Sequence, residues 1–308
     1  MPNLSLIIPV YNEEKNLPLL IDAIHEALAP ITCTWEVVLV DDGSTDRTAE
    51  IAEAFDDPRL RVLRQTNSGP ARARNHGLAL AKGEVVAFLD ADDYWSPVKL
   101  ERQLPLLQED ASVAAVGCLM HYLSSSGTTL GTAGQTVDHV DQERIGRGRL
   151  LPFPLSSTLI KRSTLDNVGG FDESLREGAE DLDLMTRVAR EGRFVCVDEV
   201  LGVYRIHPRS LSAHNFAMQR AEARFVRARV KEREKGADLS WEEFASRYRP
   251  SLRQRYDDLV RAWYRSAGLS VAERSWSRAF LFGVLAAVFG PRYTLKRIRR
   301  QLRGLGSR

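Results

Sequence analysis

The chain has 308 residues, 44% of them hydrophobic and 27% charged, with a formal net charge of +2. These figures exclude a disordered chain and a membrane-embedded one, and the length suffices for one sizeable core with about a hundred residues left for an appendage. The near-neutral total conceals an asymmetry, because acids gather in the first two-thirds while arginines crowd the region after residue 215, a pattern that expects an anionic surface as partner.

In chain order, Leu4 to Val10 is a β-branched apolar run and reads as a first strand. A helix is predicted from near Asn12, with acids in its first turn and Leu17, Leu20, Ile21, Ile24 and Leu28 at helical spacing before Pro30. Val37 to Val40 reads as a second strand, Thr45 to Phe55 as a helix, Leu60 to Arg64 as a strand, Ala71 to Ala81 as a helix, and Val85 to Leu89 as a fourth strand. This alternation is the signature of an α/β fold with a largely parallel sheet. From about 110 to 210 isolated strands (Val113 to Cys118, Thr158 to Ile160, Phe194 to Asp198) stand between long polar loops, so a mixed sheet is expected there. Beyond 213 the pattern is helical and Arg-rich, with an apolar stretch from Phe280 to Phe289 that is too short to span a bilayer.

Cys33, Cys118 and Cys196 are far apart in apolar stretches and read as buried thiols in a reducing compartment. The N-terminus carries neither a basic segment nor an apolar export signal, so the expected location is cytoplasmic.

Strands one, two and four each run into a polar cluster: Tyr11-Asn12-Glu13, Asp41-Asp42-Gly43-Ser44 and Asp90-Ala91-Asp92-Asp93. In open α/β sheets the ligand lies beyond the carboxyl ends of the strands, so function is expected at that edge. Asp90 and Asp92, one residue apart on a strand-to-loop turn, offer hard oxygen ligands suited to Mg²⁺ or Mn²⁺ on a diphosphate, although a solvated acidic turn with Ser96 or Asp93 as cap has the same composition. Ser44 or Thr45 reads as a helix cap, and a carboxylate beside them is placed to accept from a nucleobase N–H. No GxGxxG or GxxxxGK[ST] occurs, so a diphosphate has no glycine cradle and needs a metal.

The series Pro9-Val10-Tyr11-Asn12-Glu13, Val40 to Asp46, Ala73-Arg74-Asn75-His76-Gly77, Gly83-Glu84 and Phe88 to Asp93 resembles the family 2 glycosyltransferases of GT-A fold. The resemblance continues through Gly169 to Glu173, Glu180-Asp181 and Tyr204-Arg205-Ile206-His207, covering roughly residues 3 to 212. It implies an α/β/α sandwich with a mixed central sheet. The catalytic domain would be 1–212, with a nucleotide-binding half at 1–110 and an acceptor-binding half at 111–212; 213–308 would be a helical extension. By the same resemblance Pro9, Tyr11 and Glu13 would line the nucleotide pocket, Asp42 would meet the base, and Asp90 the ribose or metal. Asp92 would be the metal ligand, His207 a further contact to metal or diphosphate, Asp181 the general base, and Glu180 a residue that orients the site or binds acceptor. Three of these positions also have a plain structural reading: Glu180 and Asp181 are acids in a helix first turn, where the dipole favours them, and His207 is a loop histidine. Arg72 and Arg74, near the donor edge, read equally as donor contacts or as structural ion-pair partners.

The expected activity is inverting, non-processive transfer of a sugar from a nucleotide-diphosphate sugar to a glycan or lipid-linked acceptor, in cell-surface glycan synthesis. Transfer to a polyprenyl phosphate, or a catalytically silent sugar-nucleotide-binding scaffold, are the alternatives. The helical extension, with Trp263, Trp276 and many cations, is expected to meet an anionic membrane peripherally; packing on the catalytic domain or an oligomer contact is the competing reading. No nucleic-acid partner is expected.

Overall fold

A computed structural model describes residues 3–134, 140–206, 216–272, 275–296 and 298. Leu4–Val10 (β1) is buried along nearly its whole length, as a strand covered on both faces must be. It pairs in parallel with Trp35–Asp41 (β2), which pairs with Leu60–Arg64 (β3). On its other side lies Val85–Phe88 (β4), also parallel.

Leu6, Ile8 and Val10 of β1 point into one layer with Leu17, Leu20, Ile21, Ile24 and Leu28 of α1 (Leu17–Leu28). Ile7 points into the other, where α3 (Pro70–Leu80) lies; α2 (Thr48–Glu53) intervenes between them in the chain. Fully buried leucines and isoleucines of this kind contribute about 1.5–3 kcal/mol each, so the period-two alternation fixes the register of β1. Gly77 lets α3 sit directly on β1, since a Cβ there would stand 2.6 Å from Ile7 Cγ2.

The second half adds Tyr94–Trp95 (β5), α4 (Lys99–Gln108), Val113–Ser124 (β6), Thr129–Ala133 (β7), α5 (Gln142–Gly146), Leu159–Lys161 (β8), α6 (Arg162–Val168), α7 (Glu180–Val188) and Arg193–Ile206 (β9). Among the described residues nine strands form one mixed sheet in the order β3-β2-β1-β4-β8-β6-β9-β5, with β7 paired to β6. β8 joins the halves, antiparallel to both β4 and β6. Helices on both faces make this a GT-A-type α/β/α sandwich. Among the described residues four further helices follow: α8 (Phe216–Arg233), α9 (Trp241–Arg247), α10 (Leu252–Ala272) and α11 (Trp276–Phe289).

Several boundaries differ from the sequence reading. The first helix begins at Leu17 rather than near Asn12, because residues 12–13 are bound to the loop before α2 and to its first residue: Asn12 N donates to Ser44 Oγ (2.9 Å) and Glu13 N to Thr48 Oγ1 (2.7 Å). Ser44 and Thr45 therefore bind Asn12 instead of capping a helix, and α2 starts at Thr48, whose N–H bonds Asp46 Oδ1 (3.0 Å). β6 and β9 run on well past the predicted Cys118 and Asp198 because they pair with each other through bulges that interrupt the apolar alternation. Cys118 and Cys196 are buried free thiols as expected, whereas Cys33 is only half-buried.

Candidate active site

Val10 pairs with Asp41 and Ile7 with Phe88, so the loops after β1, β2 and β4 emerge at one edge of the sheet. Asn12 adopts φ 56° in the first of them, and its Oδ1 accepts from Thr45 N at 2.8 Å. Tyr11 is 46% exposed at this edge, while Pro9 and Glu13 are half-buried. Asp42 is buried, and its carboxylate accepts from Gln65 Nε2 (2.7 Å), Ser68 N (2.8 Å) and Gly69 N (2.9 Å). Three donors from one loop hold it, and they define where that loop lies. The approach is close enough that a Cβ on Gly43 (φ +76°) would meet Asn67 N at 2.6 Å. Beside this loop is a cavity of about 440 Å³ lined by Gln65, Thr66 and Ser68, by Arg72, Asn75 and His76 of α3, and by Glu173. Neither Asp90, Asp92 nor Asp181 lines it.

The turn after β4 is tied down on several sides. Asp90 N donates to Ser156 Oγ (3.1 Å), and Trp95 Nε1 donates to Ser156 O (2.6 Å). Asn16 Nδ2 donates to Ala91 O, and Asn16 Oδ1 accepts from Tyr94 Oη (2.8 Å) and the Arg205 guanidinium (2.5 Å). Arg205 also donates through Nε to Asp92 O and lies 4.8 Å from the Tyr94 ring centroid. Asp93 is the buried member of the cluster: Oδ1 accepts from Arg205 N (2.9 Å) and Oδ2 has no partner. Burial first, then the charges of Asp92 and Asp90, push its carboxyl well above the ordinary range.

Arg74 joins this turn to α7. Its guanidinium is buried and donates to Asp90 Oδ1 at 2.6 Å and to Glu180 Oε1 at 2.9 Å. The pair of carboxylates holds Arg74 firmly charged despite its burial. Arg74 Nε and Glu180 Oε2 are buried without partners. Asp181, next in the chain, is half-buried, accepts from Leu182 N (2.6 Å), and is pushed up to about 7 by desolvation and then by the charge of Glu180. Tyr204 faces the same charges; burial, then Asp93, Asp90, Asp92 and Asp181, raise its hydroxyl well above the ordinary value.

A divalent cation fits this donor set. Asp90 and Asp92 would supply oxygen ligands, and the upward shifts of Asp93 and Tyr204, caused first by burial, carry a further contribution from the negative charges of Asp90 and Asp92. Among the described residues no three His, Cys, Asp or Glu side chains form a group that could hold a metal by themselves. His207 lies outside the described residues.

The loop before α7 is gripped from two directions. Asn75 Nδ2 donates to Phe171 O (2.9 Å), and Phe171 N donates back to Asn75 Oδ1 (2.8 Å). From α8, the buried Glu222 accepts from Arg176 N (2.9 Å) and Glu177 N (3.1 Å), and Arg229 pairs with Asp172 (2.5 Å). The sequence alone gives no role to Asn16, Ser156, Arg205 or Glu222 and leaves Arg74 open between a donor contact and a structural ion pair. For Arg74 a signal existed, since it shares a helix face with the apolar Ala71 and Leu78; for Ser156 and Glu222 there was none.

The profile described as Glycosyl transferase family 2 matches residues 5–169. The chain is 32% identical to the uncharacterized glycosyltransferase EpsJ of Bacillus subtilis, over 69% of this chain and 63% of that protein. It is 30% identical to the succinoglycan biosynthesis protein ExoO of Rhizobium meliloti, over 74% of this chain and 69% of that one. The chain thus spans less than two thirds of EpsJ. Among solved structures, S. aureus TarS 1–349 in complex with UDP-GlcNAc superimposes with a TM-score of 0.60 at 22% identity, covering 96% of this chain and 92% of that one. The mannosyltransferase PcManGT from Pyrobaculum calidifontis in complex with GDP-Man and Mn²⁺ gives 0.57 at 22%, covering 99% and 86%. At such identity these two structures speak for the fold alone.

Proposed function

The chain belongs to glycosyl transferase family 2, and on that premise we propose that it transfers a sugar from a nucleotide-diphosphate sugar to an acceptor hydroxyl, with inversion, in cell-surface glycan synthesis. The observation that carries this reading is the Arg74 bridge: one buried guanidinium ties Asp90, at the end of β4, to Glu180, at the start of α7. The two acidic motifs are thereby parts of one constellation.

In this proposal Tyr11 offers its exposed ring to the nucleobase, with Pro9 and Glu13 behind it, and Asp42 uses its remaining acceptor capacity toward a base N–H. Asp92, with Asp90, holds Mg²⁺ or Mn²⁺, which when bound supplies charge neutralisation for the leaving diphosphate. Asp181 takes the proton of the acceptor hydroxyl as that oxygen attacks the anomeric carbon opposite the leaving group. Its raised proton affinity suits a base that works near neutral pH. Glu180, turned into Arg74, positions Asp181 rather than touching acceptor. The donor half is then 1–110 and the acceptor half 111–212. The relation to ExoO, a succinoglycan biosynthesis protein, supports a glycan acceptor.

Thermal shift with a panel of UDP-, GDP- and dTDP-sugars, with and without Mn²⁺, tests the donor site. The expected outcome is metal-dependent stabilisation by one nucleotide class, lost in Asp92→Ala; at a ligand concentration of about 100 Kd the gain is about 2.7 kcal/mol. No stabilisation by any nucleotide, with or without metal, sinks the donor site and favours a silent scaffold. An Asp181→Asn variant that still transfers at full rate points instead to a phosphate acceptor such as a polyprenyl phosphate, which needs no strong base.

A further inference from the structure

The α10–α11 hairpin is fastened to the body through Asp258 of α10, which accepts from Arg220 (3.0 Å) and Arg224 (2.7 Å) of α8. α11 packs its small-residue side on α10: Ala279 and Ala286 are buried, and the Trp263 and Phe289 rings lie 5.4 Å apart. Its opposite side has no cover among the described residues. Trp276 (67% exposed), Phe280 (76%), Val284 (41%) and Val288 (65%) recur every fourth residue there, flanked by Leu281 (54%). Residues four apart on a helix share a face, so this is a continuous apolar stripe.

We propose that this face of α11 docks on an anionic lipid bilayer, with the helix lying in the plane of the interface. Its length supports lying over crossing: 14 residues make a helix of about 21 Å, and no described helix is long and apolar enough to cross a membrane. Charge selects the partner. From Ser275 to Arg308 the sequence holds eight Arg and Lys and no Asp or Glu, and Arg278, Arg292 and Lys296 are exposed beside or just beyond the stripe. An apolar face with a cationic flank and a tryptophan at its end is the composition of an interfacial helix. A two-fold contact between copies through this face would bring two acid-free cationic segments together, which like-charge repulsion disfavours. A nucleic acid would engage the cations but leave Trp276, Phe280 and Val288 in water. A lipid surface satisfies both: acyl chains take the stripe, and anionic headgroups take the arginines.

The test is co-sedimentation of the full chain with vesicles of phosphatidylcholine alone and of phosphatidylcholine and phosphatidylglycerol in equal parts. Binding is expected to the anionic vesicles, weaker by about tenfold or more on the neutral ones and at high salt. Phe280→Asp with Val284→Asp should weaken binding by at least about tenfold while leaving the melting temperature and nucleotide-induced thermal shift unchanged. Failure to bind either vesicle, or binding unaltered by the double substitution, overturns the proposal. So does a dimer in sedimentation velocity that the same substitutions dissociate, with no vesicle binding. None of these outcomes touches the donor-site reading, whose thermal-shift test is separate.

Discussion

Asp181 carries the sharpest pH prediction. Its ordinary value of 3.8 is raised to about 7 in the fold, first by desolvation and then by Glu180, so the native state holds the proton more tightly than the unfolded chain. Its contribution to stability is fully present below the ordinary value and is lost as pH climbs through about 7. A base must be ionised, so kcat/KM should rise with pH through about 7, and Asp181→Asn should lose about 10²–10⁴ in rate. The same variant should melt higher than the parent at pH 8 but not at pH 4; an unchanged difference between the two pH values would remove desolvation as the cause. Lys99 is a second unusual residue. It is fully buried, its Nζ has no hydrogen-bond partner and lies 3.9 Å from the Trp95 ring centroid, and burial lowers it to about 8. A buried charge without a hydrogen bond costs several kcal/mol, of which a desolvated cation–π contact returns about 2. Lys99→Met should therefore stabilise the fold by about 1–3 kcal/mol at pH 7. Because the depressed value favours the neutral amine, that gain should shrink by pH 10 in thermal melts.

At the scale of elements, α8 acts on the site without entering it. Glu222 accepts two amides of the loop leading to Glu180 and Asp181, and burial, reinforced by the charge of Glu180, raises it to about 7. We expect Glu222→Ala to free this loop and lower kcat by about tenfold, the worth of about one hydrogen bond, with little change in donor-induced thermal shift. Glu222→Gln keeps an acceptor oxygen and should restore most of the rate; equal damage from both variants would mean the charge, not the clasp, matters. The elements themselves were legible to different degrees. β1 and β3 have the bounds their apolar runs predict, and α3 and β4 lie within a residue or so of theirs. α1 and α2 start later than their sequence patterns predict because Asn12 binds Ser44 and Thr45, and Glu13 binds Thr48, across the loops. Such contacts between residues some thirty apart leave no local pattern. The long pairing of β6 with β9 was hidden for a related reason, since bulges shift its register and its last residues are only half-buried.

At the scale of the molecule, strand order decides what meets what. β8 enters antiparallel beside β4 and carries Ser156, just before it, to the amide of Asp90. β9 then returns along β6 and brings Arg205 to Asn16 and to the Asp92 carbonyl, closing the second half over the first. The sequence by itself determined the layered α/β class, the sheet edge where the acidic loops collect, the family, and the acidic character of the site. Those properties follow from local periodicity, from strand-end chemistry and from short motifs, all of which are written within a few residues. Only the tertiary structure decided that Arg74 couples Asp90 to Glu180, that Asp42 is held by three donors from the loop after β3, and that α11 turns its large apolar residues outward. Each depends on which distant elements pack together, and packing is set by the whole set of buried surfaces rather than by any stretch of chain.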